Sequence, residues 1–353
     1  MPISAVDTIN LAFQHTKRQL FQPFRFWQWT RLAIVGLLAG EAGGGGSFNY
    51  SKSLNSPQSG SPSFPHIDPA LLVGLLVVIV VTAIIFGIVM MYVSSVMRFI
   101  LFDIVIAKQC HIRQGWQRRQ DGGWKLFLWH LGFFVVVLFA SVLLLGVPAL
   151  FAFVMGWFRE PRQHLLALIL GGILLFLVLF AFLVAAAVVQ VLTKDFVVPQ
   201  MALEKIGAVE GWRRLLPMLK AEKGGYAAYI GLKIVLAIGA GIVIALVGLV
   251  LSLFLILPFV GVAVAAVLGG KAAGLTWNVL TITAAVVAVC ILLAVLFYLT
   301  ALVSVPVIIF FPAYSIYFFA ARYRPLSLTL YPPPPATPDA SAGSLPGLPL
   351  APA

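Results

Sequence analysis

A chain of 353 residues could form one large or two small soluble domains, but 61% hydrophobic and only 10% charged residues exclude a soluble surface, because soluble domains are about a quarter charged. A mean hydropathy of +1.05 instead fits an all-α membrane protein, whose lipid-facing helix sides must themselves be apolar. The formal charge of +12 would point to nucleic acid in a soluble protein; here nucleic acid is not an expected partner, and the placement of the charges matters more than their sum.

Residues 1–23 read as an amphipathic helix. Lys17 and Arg18 come late in it, and no apolar stretch leads to a small-residue cleavage site, so no cleavable signal is expected. A spanning helix needs roughly 20 mostly apolar residues. Six stretches qualify: about Phe24–Ala42, Pro69–Met97, Trp124–Leu145, His164–Leu192, Tyr226–Ile256 and Thr276–Leu302. The first is the weakest, because Arg31 lies inside it. It either crosses with Arg31 snorkelling to a belt of Phe21, Phe24, Phe26, Trp27 and Trp29, or it lies in the interface. The runs Trp124–Trp157 and Tyr226–Gly269 are too long for one span. Proline breaks or kinks helices, so the pieces beyond Pro148 and Pro258 are expected to be short, interfacial or re-entrant.

The membrane domain thus covers 24–325. Within it, 41–69 is rich in Gly, Ser and Pro and reads as an unstructured outer loop; 326–353 reads as a disordered Pro/Ala-rich tail. Basic residues gather on one side of the six spans. Lys17, Arg18, Arg25 and Arg31 precede or begin the first span. Arg98, Lys108, Arg113, Arg118, Arg119 and Lys125 follow the second. Lys194, Lys205, Arg213, Arg214, Lys220, Lys223 and Lys233 follow the fourth, and Arg322 and Arg324 follow the sixth. The other side holds Lys52, Arg159, Arg162 and Lys271. The positive-inside rule then places both termini in the cytoplasm, and the expected location is the cytoplasmic membrane.

An internal repeat emerges at an offset of 96 residues. Gly115–Arg119 (GWQRR) aligns with Gly211–Leu215 (GWRRL), and Arg98, Leu101 and Phe102 align with Lys194, Val197 and Val198. The segment 3–9 (ISAVDTI) resembles 206–212 (IGAVEGW). Three parallel two-span units follow, each with a cytoplasmic amphipathic helix. In the Gly-Trp elements, Trp116 and Arg119 share a helix face, as do Trp212 and Leu215. Indoles at headgroup depth beside guanidinium forks suit phosphate recognition. Trp116, Arg118, Arg119, Trp212, Arg213 and Arg214 are therefore the candidate contacts to anionic lipid headgroups; the plainer reading is an interfacial anchor.

Chemistry is otherwise sparse. His15, His66, His111, His130 and His164 make no metal-ligand spacing, and there is no phosphate loop or nucleophile elbow. No cofactor, metal or catalytic residue is expected. Asp103, His111, Asp195 and Glu204 are the only acids and histidine near the cytoplasmic loops that an enzyme could use, and no span carries a buried carboxylate suited to ion coupling. Gln190, Asn278, Thr82, Thr281, Thr283, Ser94 and Ser95 read as helix-contact residues, and a transporter would need them to converge on one cavity. Ala237, Gly241, Ala245 and Gly248 form a small-residue stripe for helix packing. Cys110 and Cys290 lie in a basic loop and an apolar run and suggest no disulfide.

The stretches AFQHTKRQLFQPFRFWQWTRLAIVGLLAG and TKDFVVPQMALEKIGAVEGWRRLLPMLK resemble a group of uncharacterised prokaryotic multi-span membrane proteins. They are also similar to the membrane domain attached to some glycerophosphodiester phosphodiesterases, whose catalytic domain has no counterpart here. The resemblance implies a six-span membrane domain and carries no activity. The expected role is a non-enzymatic scaffold or a subunit of a membrane assembly, with membrane lipids and a membrane protein as partners. The alternative is a transporter or lipid-handling protein with a central cavity between the repeats.

Overall fold

The computed structural model describes residues 4–22, 24–41, 69–107, 112–157, 162–272 and 279–331. They are helical nearly throughout: α1 (Asp7–Phe21), α2 (Phe26–Leu38), α3 (Pro69–Ala107), α4 (Ile112–Val154), α5 (Leu165–Leu192), α6 (Val198–Glu204), α7 (Ala208–Ala221), α8 (Lys223–Ala272), α9 (Val279–Val303), α10 (Val305–Ala320) and α11 (Arg324–Leu330). A single π-helical turn, Thr193–Val197, joins α5 to α6.

Among the described residues, five helical stretches are long and apolar enough to cross a membrane: Val73–Ala107, Ile112–Val154, Leu165–Glu204, Lys223–Ala265 and Thr281–Ala320. The protein is an all-α, multi-pass membrane protein. The expected first span does not qualify. At 13 residues, α2 is about 20 Å long, short of a hydrocarbon core of about 30 Å. It packs instead among the other helices, with Leu32 and Val35 fully buried. The expected breaks at Pro148 and Pro258 are also absent, since α4 and α8 run through both prolines. Residues 326–330 of the expected tail are helical, since α11 continues to Leu330 and buries Leu326; the stretch 332–353 lies outside the described residues.

Each long helix has two unlike halves. Away from the loops that carry the basic clusters, side chains such as Val77, Phe139, Ile173, Val243 and Ile291 are exposed and would face lipid. At the other end the same helices converge with α1, α2, α6, α7 and α10 into a close-packed platform. Phe196 sits at its centre, 5.1–5.2 Å between ring centroids from Tyr226, Tyr229 and Phe319. Tyr229 stacks on Tyr314 at 5.0 Å.

The first helix closes on the last. On α1, His15 hydrogen-bonds through Nδ1 to the Tyr317 hydroxyl at 3.0 Å, and Gln19 donates to the Ile104 carbonyl at 3.1 Å. Both ends of the described chain therefore lie at the platform end. The start of α3 lies far from the end of α2. Glu41 shares a cavity with Arg98, whereas α3 begins at Pro69, roughly 44 Å farther along that helix at 1.5 Å per residue.

Pro199 accounts for the π-helical turn. Proline cannot donate to the carbonyl four residues back and its ring crowds that carbonyl. Here that residue is Asp195, inside the widened turn, where the Val198 N–H bonds five residues back to Thr193. Beyond it, Lys205 adopts a left-handed conformation, φ 57°, that ends α6 and turns the chain into α7.

Candidate functional site

The two Gly-Trp elements lie at close packing contacts. A Cβ on Gly211 would stand 2.7 Å from Val197 Cγ1, and one on Gly115 would stand 3.2 Å from Ile100 Cγ1. At Gly211 a side chain would force Val197 to move, whereas at Gly115 it would crowd Ile100. Trp116 meets Tyr92 edge to face at 6.0 Å. Trp212 donates Nε1–H to Thr193 Oγ1 at 3.1 Å and lies 6.4 Å from Trp129. Both indoles are packed within the platform.

The arginines divide. Arg119 makes a bidentate pair with Asp103 at 2.6 and 2.7 Å and donates to the Ala202 carbonyl at 2.7 Å. Arg214 is taken up by Glu204 and Glu210. Arg118 is exposed, and Arg213 is 84% exposed with only a 3.9 Å contact to Glu210. The six predicted residues therefore do not form one headgroup site; Arg118 and Arg213 alone keep guanidinium groups turned outward.

A buried charged centre lies at the π-helical turn instead. Lys194 pairs with Glu41, which is only 6% exposed at the end of α2. Asp195, 3% exposed, pairs with Lys233 of α8 and accepts a hydrogen bond from the Tyr229 hydroxyl at 3.0 Å. Arg98 of α3 donates Nε–H to the Ala39 carbonyl at 3.2 Å and Nη1–H to His130 Nε2 at 3.0 Å. Between these groups is a cavity of about 30 Å³, lined among others by Glu41, Arg98, Lys194, Asp195, Pro312 and Ser315.

Three expectations change here. Glu41 belongs to this centre and not to an outward-facing loop. Lys233 is held by a carboxylate and does not snorkel. Asp195 and Glu41 are buried carboxylates where none was expected. Partners such as Glu41 and Lys194 are far apart in the chain, so no local spacing announces them. One signal was available: Tyr229 and Lys233 are four residues apart and share a face of α8, an arrangement that asks for an acid.

At the outer rim of the platform, Arg322 makes a bidentate pair with Glu222 at 2.6 and 2.7 Å. This hydrogen-bonded pair holds the Glu222 carboxyl below its usual pKa. Tyr323 donates to Glu204, and burial pushes its phenol up.

Asp103, Asp195 and Glu204 are each engaged by a basic side chain, and His111 lies outside the described residues. Among the described residues no three of His, Cys, Asp and Glu come together as metal ligands. The polar span residues do not all share one site, and Gln190 hydrogen-bonds His130. Thr82 and Thr283 are exposed, Ser95 hydrogen-bonds to Met91 of its own helix, and Asn278 lies outside the described residues.

No curated protein and no solved structure matches the chain, so the resemblance to phosphodiesterase membrane domains has no support from a match. A family model does match, over residues 3–329. The chain belongs to that family, a family of unknown function (DUF7544).

Proposed function

We propose that this protein is a non-enzymatic scaffold or assembly subunit of a cytoplasmic membrane, with its platform and both termini on the cytoplasmic side. The observation that carries the reading is the mutual engagement of the platform's charges. Asp103, Glu41, Asp195, Glu204 and Glu222 are each matched to a basic residue of another helix or segment. Such a centre holds helices in register. The dispersal of the polar span residues argues the same way against the transporter or lipid-handling alternative.

The three-unit repeat fits this role. Matched at the offset of the 3–9 and 206–212 segments, Ala5 and Ala208 are both buried, Val6 and Val209 are both exposed, and Ala12 and Leu215 are both fully buried. On this reading α1, the start of α4 and α7 are equivalent struts, each packed on the platform end of a span. Arg118 and Arg213 face anionic headgroups around the rim.

Mass spectrometry of the protein purified in native lipid discs tests the proposal. A membrane protein partner at fixed stoichiometry is the expected result. A single enriched lipid or solute and no protein partner, with the enrichment lost in Arg118→Gln/Arg213→Gln, would overturn it in favour of lipid handling.

A further inference from the structure

The buried centre holds more positive charge than negative. Its cations are Arg98, Lys194 and Lys233; its carboxylates are Glu41 and Asp195. Each carboxylate already pairs with a lysine. His130 adds no charge. Its Nδ1 lies 2.9 Å from the Leu126 carbonyl, which only accepts, so Nδ1 carries the proton. Its Nε2 faces Arg98 Nη1, which only donates, so Nε2 is the bare acceptor. Arg98 thus bonds to two neutral acceptors and has no carboxylate in ion-pair contact among the described residues.

A charge removed from water is costly unless an opposite charge accompanies it. The guanidinium of Arg98 and the ammonium of Lys194 border the same cavity of about 30 Å³. We propose that this cavity is a binding site for one small monovalent anion of halide size, held by Arg98 and Lys194 and bringing the centre to neutrality. A single halide fits the cavity, and its one negative charge balances the excess cation. The π-helical turn is what places Lys194 at the wall, and such turns recur at functional sites. The site bridges α2, α3, α10 and the end of α5, so its occupancy strengthens the platform and is coupled to its folding.

The test uses the full chain in neutral detergent, at constant ionic strength, with chloride, bromide or gluconate as the anion. Chloride and bromide are expected to raise Tm saturably, by roughly 2 °C at tenfold excess over half-saturation, and gluconate is not. Arg98→Gln is expected to abolish the response and the exposed-site variant Arg118→Gln to retain it. Equal Tm in chloride and gluconate would overturn the proposal. So would a Tm that responds to added phosphatidylglycerol but to no halide, which would assign the charge to a lipid headgroup. Should Arg98→Gln not fold, ³⁵Cl line broadening by the wild-type protein, reversed by bromide, carries the proposal, and no broadening refutes it.

Discussion

The platform and the apolar rods are built from the same long helices but answer to different solvents. In the rods, side chains such as Phe254 and Leu166 lie exposed, and a hydrocarbon surroundings asks only that they be apolar. In the platform, Phe196, Tyr229 and Phe318 are buried to the last atom or nearly so, and every charge must find a particular partner. Position matters in one half and composition in the other. The difference predicts where substitutions will be felt.

The largest effect is expected at Asp195. Replacing it with Ala strands Lys233 and the Tyr229 hydroxyl in the platform and should lower stability by about 3–5 kcal/mol in thermal unfolding. Removing both charges together, Asp195→Leu with Lys233→Met, should restore most of that loss; a double variant as unstable as the single one would refute the pairing.

Next comes a contrast between two glycines. Gly211→Ala drives a methyl group into Val197 and should cost about 1–3 kcal/mol. Gly248→Ala in a rod meets nothing within 4 Å and should leave stability level or raise it by up to about 1 kcal/mol. Equal effects at the two sites would erase the distinction between the halves.

The pH dependence of the Glu222–Arg322 pair is a smaller effect. Pairing lowers the folded-state pKa of Glu222 below its ordinary value of 4.5. Its contribution is therefore complete above that value and disappears as pH falls through the lower folded value. Glu222→Gln should lose stability at neutral pH, and its deficit relative to wild type should shrink in acid. A deficit that is constant from neutral pH into acid would exclude the assignment.

The smallest change in stability is expected from Arg118→Gln/Arg213→Gln, within about 0.5 kcal/mol. The anionic lipid retained on purification should nevertheless fall, in keeping with about 1 kcal/mol of attraction per basic residue at a charged surface.

The same division explains what the sequence could reveal. Apolar runs such as Leu165–Leu192 are legible because lipid imposes one rule on a whole stretch. The gathering of basic residues at one end of the long helices was legible too, since Arg98, Arg119, Lys194 and Lys233 all lie at the platform end of their helices. The charged centre was not legible. Glu41 stands before a glycine run and reads as the start of a loop, and nothing near it in the chain announces Lys194. Arg119 and Arg214 look like lipid-facing residues until Asp103 and Glu204 are seen beside them. The prolines misled for a related reason: Pro148 and Pro258 lie in exposed rods, where a helix can continue past them, whereas Pro199 lies in the packed platform and reshapes the turn before it.

The contact between His15 and Tyr317 spans 302 positions of the chain, and this has a consequence for biogenesis. At about 5–20 residues per second, a ribosome needs roughly 15–60 seconds to travel from one partner to the other. Throughout that interval α1 lacks the surface of α10 that it covers in the finished protein. The rods can enter the bilayer one after another as they emerge, but the platform can close only after its last helix has been made. The newborn N-terminal helix therefore waits at the membrane surface for the end of its own chain.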